Sequence, residues 1–280
     1  MKKLKILAIL FFITAKCLSQ VNEVIKLWAG KVPGEPDMKH PAMPAPTAKN
    51  GIKLITNVTD PLVTVYTPSS GTNLGIGLVI CPGGGNKYLS VYTEGEDVAR
   101  WFTARGFTAF VLQYRVPDKR AGALQDIQRA IRLIRSDAEK WKVDTHKIGV
   151  MGFSAGGNLS ARAGTEFKKT TYEPVDKIDS LSCRPDFGVL IYPGGMATGS
   201  DHKLIPELTV DKNSSPMFLF VANDDPIGVP LSFAYALHDA KVPLEMHIYP
   251  KGGHGFGLNR GNGVPWEWPE LAEKWIKDLL

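Results

Sequence analysis

Three residues of this chain have the types and the placement to act together on an acyl group. Ser154 lies in "GVMGFSAGGNLSA", between Gly152 and Gly156, directly after an apolar run and before a helix-like stretch. A serine hydroxyl is a weak nucleophile until a base takes its proton. His254, in "YPKGGHGFG", is flanked by glycines that leave its loop free to bring an imidazole over the serine. The imidazole in turn needs a carboxylate that accepts its other ring proton and fixes the tautomer. "VANDDPIG" supplies Asp225, with Asp224 beside it as the alternative; Asp225 is favoured because it lies one residue further beyond the preceding apolar run. The run "CPGGGN" adds three glycines whose N–H groups, with that of Ala155, would face a substrate without obstruction and hold a negative oxygen. It is not a phosphate loop, since the lysine and Ser/Thr spacing is missing.

Side chains so far apart in sequence act together only if the fold collects them. "LVTVYTP" (62–68) alternates as a half-exposed strand does, and "IGLVICP" (76–82) is continuously apolar, as a strand covered on both faces is. "TAFVLQY" (108–114), "KIGVMGF" (147–153), "DFGVLIY" (186–192), "MFLFVAN" (217–223) and "EMHIYP" (245–250) read as further strands. Between them, "EGEDVARWFTARG" opens with Thr93, just before it, and Glu96 at capping-box spacing and closes on Gly106. Leu124, Ile127, Ile131, Ile134, Ala138 and Trp141 mark the apolar face of a long helix over 121–141. Other helices are expected from Ser154, near 230–240 and near 268–280. The alternation predicts an α/β fold, a mostly parallel sheet with helices on both faces. Ligands gather at the carboxyl ends of such strands. Ser154, Asp225, His254 and the glycine run each follow a different strand, in the chain order of α/β-hydrolase triads.

On these segments, together with "ITNVTDPLVTVYTP", "EGEDVARWF", "QYRVP", "LQDIQRAIRLIRS" and "WPELAEKWI", the chain resembles the acetyl xylan esterase-like (xylanase-associated) carbohydrate esterases of the α/β-hydrolase superfamily. The resemblance runs nearly the full length after the first twenty residues. It implies Ser154 as nucleophile, His254 as base, Asp225 as the acid, and the N–H groups of Gly84, Gly85 and Ala155 as oxyanion donors. Relatives often carry an aromatic residue where Asn86 follows the glycines. The implied activity is removal of short acyl groups, acetyl first, from plant-type polysaccharides or oligosaccharides such as xylan, with no metal and no cofactor. A feruloyl or general carboxylesterase is the near alternative; a serine peptidase or a non-catalytic sugar-binding module is further off. Residues 193–216 are polar and carry no long amphipathic stripe, so no large lid is expected, and an open, shallow site suits a short acyl group on a bulky polar alcohol.

The first residues set the compartment. "MKKLK" followed by "ILAILFFITA" is a basic segment and an apolar run too short to span a bilayer, which reads as a signal peptide over 1–19, cut near residue 19 or 20. Lys16 before Cys17 disfavours a lipoprotein. The protein is expected to be exported, periplasmic or secreted, with residues 20–280 forming a single domain whose 20–60 stretch is an N-terminal arm. The chain carries 33 basic and 28 acidic residues, net +5; loss of Lys2, Lys3, Lys5 and Lys16 leaves 29 against 28. A balance so near zero points to neither nucleic acid nor an anionic membrane surface as partner. Cys81 and Cys183 do not make a disulfide framework, though a bridge between them is open in an oxidising compartment.

Overall fold

The computed structural model describes residues 20–36, 38–46, 51–69, 71–199, 201–259, 261 and 265–280; the expected leader, with Cys17, lies outside them. Eight strands form one sheet: β1 (Gln20–Lys26), β2 (Leu62–Thr67), β3 (Gly77–Cys81), β4 (Thr108–Gln113), β5 (Ile148–Phe153), β6 (Gly188–Ile191), β7 (Met217–Ala222) and β8 (Leu244–Tyr249). Their order across the sheet is β1-β2-β4-β3-β5-β6-β7-β8. The pairs β1/β2 and β2/β4 are antiparallel and all the others parallel. β3, β5 and β7 are buried along their whole length, which is why they read as unbroken apolar runs.

Helices cover both faces. Leu124, Ile127, Ile131 and Ile134 of α2 (Arg120–Ser136) and Leu159 of α3 (Ala155–Thr165) pack over Val79, Phe110 and Val150. Phe233 and Leu237 of α4 (Leu231–Asp239) extend that layer over Leu190 and Leu219. On the opposite face, Val98 and Phe102 of α1 (Asp97–Thr103) and Trp268, Ala272 and Ile276 of α5 (Trp268–Leu279) cover Ile80, Phe153, Phe218 and Phe220. Within β7, Leu219 faces one layer while Phe218 and Phe220 face the other, the period-two alternation of a strand.

Two expectations need correction. The 20–60 stretch is not simply an arm: β1 is the edge strand of the sheet, and Leu27, Trp28 and Val32 belong to the core. Trp28 Nε1 donates to Asp126 Oδ1 at 2.9 Å, and Arg115 Nε donates to Asp126 Oδ2 at 2.9 Å. This buried cluster fastens the N-terminal segment to α2. The capping box is also absent. The helical path starts earlier, in a π-helical turn over Val91–Glu96, because the Thr93 hydroxyl bonds to Ser90 Oγ at 2.8 Å instead of capping the helix. Glu96 stays at the surface, 3.9 Å from Arg100, and the acid that turns inward is Glu94. Cys81 and Cys183 are buried free thiols, and burial pushes the Cys81 thiol up to about 12.

Candidate active site

Ser154 joins β5 to α3 with φ 51° and ψ −117°, a backbone state that a side chain adopts only where its surroundings impose it. The surroundings here are two close approaches. A Cβ on Gly152 would lie 2.1 Å from Gly156 O, and one on Gly156 would lie 2.0 Å from Cys81 O. Only glycine fits at either position, so the strand can turn sharply into the helix with the serine at its apex. Ser154 N–H donates to Ile191 O at 3.1 Å and Ser154 O accepts from Gly194 N–H at 3.0 Å, which ties the turn to the end of β6.

The loops after β7 and β8 bring two partners to this apex. His254 Nε2 lies 2.8 Å from Ser154 Oγ, and His254 Nδ1 lies 2.8 Å from Asp225 Oδ2. An ionised carboxylate only accepts, so the Nδ1 proton goes to Asp225 and Nε2 is left to accept the serine hydroxyl. Asp225 is buried, and its other oxygen accepts Ile227 N–H at 2.7 Å. Asp224 is exposed and points elsewhere, accepting Gly253 N–H at 2.8 Å. Of the two carboxylates left open by the sequence, Asp225 meets the imidazole, and Asp224 steadies the loop that carries it.

The glycine run after β3 abuts the serine: a Cβ on Gly83 would lie 3.0 Å from Ser154 Cβ. Gly84 has φ +141°, and its O accepts from Lys87 N–H and Tyr88 N–H at 3.1 and 3.0 Å, folding the loop back on itself. Gly83 N–H is taken by Glu94 Oε2 at 2.8 Å. No acceptor among the described residues takes the N–H of Gly84, Gly85 or Ala155. Asn86 O accepts Asp118 N–H at 2.6 Å, so this residue anchors the loop through its backbone. Sequence reasoning missed three neighbours of the site. Asn158 Nδ2 donates to Gly194 O and Gly195 O at 3.2 and 2.9 Å. Tyr192 stands directly after β6, at a strand end, where the strand-end rule would have found it, and it donates to Glu94 Oε1 at 2.8 Å.

Near the serine, residues from 193–197 and 227–232, with His202, line a cavity of about 340 Å³, among them Pro193, Met196, Ile227, Val229 and Leu231. A Cβ on Gly194 would touch both Ile227 Cγ2 at 3.4 Å and Ser154 Oγ at 3.6 Å, so Ile227, a wall residue of the cavity, stands near the serine oxygen. A recess thus lies close to the site that residues 193–216 led us to expect as open and shallow. Met196, Ile205 and Leu208 from that segment turn into the core beneath α4, and the recess opens beside them.

A family model described as BD-FAE matches residues 63–184. The crystal structure of an acetyl ester-xyloside bifunctional hydrolase from Caldicellulosiruptor lactoaceticus superposes with a TM-score of 0.76 at 32% identity, over 94% of this chain and 98% of that one. The chain belongs to the acetyl xylan esterase-like α/β-hydrolases. Other relatives of this esterase-like chain include an acetylxylan esterase of Xylanibacter ruminicola, 30% identical over 233 residues and 73% of the chain. Endo-1,4-beta-xylanase B of Butyrivibrio fibrisolvens is 33% identical over 205 residues and 64% of the chain. The chain spans 44% and 32% of the length of these two curated relatives.

Proposed function

We propose that the chain is a serine esterase that removes short acyl groups, acetyl above all, from xylan or related plant-type polysaccharides and oligosaccharides. The observation that carries this reading is the continuous relay from Asp225 through His254 to Ser154, each link 2.8 Å long, on a strained strand-to-helix turn. His254 Nε2 takes the Ser154 proton as Oγ attacks the ester carbonyl carbon, and Asp225 stabilises the imidazolium that forms. The N–H groups of Gly84, Gly85 and Ala155 receive the oxyanion. The bond to the sugar oxygen then breaks, and His254 returns its proton to that oxygen. Water, deprotonated by His254, attacks the acyl-Ser154 ester; the acid leaves and the serine regains its proton. None of these steps draws on a metal or a cofactor. The xylan-related names of the relatives support the substrate class, and export by the 1–19 leader would bring the enzyme to it.

The cavity of about 340 Å³ near Ser154 favours a second reading, in which a larger apolar acyl group such as a hydroxycinnamoyl ester is cut. Release of acetate from acetylated xylan, mannan and pectin, and of hydroxycinnamate from feruloylated arabinoxylan, separates the two, with Ser154→Ala as control. Acetate without hydroxycinnamate supports the first reading and the reverse supports the second. Folded protein that releases neither, and whose serine does not react with a fluorophosphonate, would leave a sugar-binding module.

A further inference from the structure

Among the described residues five acidic ones are buried: Glu35, Glu94, Asp126, Glu166 and Asp225. Four of them face an arginine, lysine or histidine within ion-pair distance. Among the described residues Glu94 has no such partner, although a buried carboxylate without a cation is costly unless its oxygens are hydrogen-bonded. Both oxygens are. Oε2 accepts Gly83 N–H at 2.8 Å, and Oε1 accepts the Tyr192 hydroxyl at 2.8 Å. The Tyr192 oxygen in turn accepts Gly257 N–H at 3.0 Å. One carboxyl group thus links the first glycine of the oxyanion loop to the loop that carries His254. Tyr192 holds this bridge with φ 39°, its ring 4.9 Å from the imidazole.

We propose that Glu94, acting through Tyr192, is a positioning residue that sets the oxyanion loop and the histidine loop in register across Ser154. Occupying Gly83 N–H from behind leaves the next two N–H groups of the loop as donors toward the substrate. Holding Gly257 fixes the loop three residues beyond the base. Burial raises the Glu94 pKa, while the hydrogen bonds from Tyr192 and Gly83 and the nearby His254 pull it back. The titratable groups that face it are Tyr192 from the end of β6, Tyr114 beyond β4 and His254 from the loop after β8. The proposal rests on the reading of Ser154 as nucleophile.

The test uses the full chain with Glu94→Gln, Glu94→Ala and Tyr192→Phe, hydrolysis of p-nitrophenyl acetate, and the rate of serine labelling by a fluorophosphonate. Glutamine offers one acceptor oxygen to two donors, so at least one of the two hydrogen bonds that the carboxyl accepts is lost or reversed. We expect kcat to fall by about tenfold to 100-fold with KM changed by less than about twofold, as for a displaced but intact constellation. Labelling should slow by a similar factor. Tyr192→Phe removes only the hydroxyl at the far end of the link, and should reproduce the loss even if Glu94→Ala does not fold. The double variant Glu94→Gln/Tyr192→Phe should cost little more than either single change. Folded variants that turn over and label at the wild-type rate would overturn the proposal, as would a kcat loss that merely tracks the lost fraction of folded protein. A wild-type protein that does not label would instead remove the nucleophile reading beneath it.

Discussion

Two adjacent aspartates, Asp224 and Asp225, end in different places because one turn residue separates a buried direction from an exposed one. If the roles follow the geometry, their amides should behave differently. Asp225→Asn puts a donor against His254 Nδ1, favours the wrong tautomer, and should lower kcat by about 10,000-fold. Asp224→Asn keeps an oxygen for Gly253 N–H and should cost less than about tenfold, the weight of one neutral hydrogen bond. Steady-state kinetics of the two variants checks this, and equal losses would refute the division. At this scale the meeting of Ser154, His254 and one of the Asp224–Asp225 pair was legible because a hydroxyl, an imidazole and a carboxylate after strand ends stand out by residue type. The strand-end rule reaches Tyr192, but its pairing with Glu94 was not legible, since 98 residues separate them and an inward-facing acid looks in sequence like any other helix-surface glutamate.

Among the elements, the strands were the easiest to read and the first of them the hardest. β3, β5 and β7 are covered on both faces, and their composition says so. β1, "QVNEVIK", is an antiparallel edge strand in which Val24 is exposed, so burial leaves only a faint pattern. What fastens this end of the sheet is the Trp28–Asp126–Arg115 cluster, in which the Arg115 and Asp126 side chains are 1% and 0% exposed. Asp126→Asn would leave the guanidinium buried with Glu35, 3.7 Å away, as its remaining carboxylate. We expect a loss of about 3 kcal/mol of stability. Urea unfolding measures it, and a change under about 1 kcal/mol would mean that the cluster holds the N-terminal segment only weakly. The missed π-helical turn belongs to this scale as well. Thr93 carries a capping signal, but Ser90 lies close enough to satisfy its hydroxyl first.

Taken whole, the molecule assembles its site from five separate strand exits, so the sheet rather than any local motif decides whether the parts meet. The loop that bears His254 shows how far this reaches. Its Gly253 N–H is held by Asp224 and its Gly257 N–H by Tyr192, while Gly257 O accepts Trp268 Nε1 at 2.7 Å. Trp268 is also the first residue of α5 and is fully buried beneath it. His254 is therefore mounted on the C-terminal helix as much as on the sheet. In native-state hydrogen–deuterium exchange, the amides of residues 253–257 should open together with those of α5 as one cooperative unit. Loop amides that exchange freely while α5 stays protected would disprove the coupling. If the two open together, release of this helix disarms the serine while the rest of the sheet is still intact, and inactivation precedes melting.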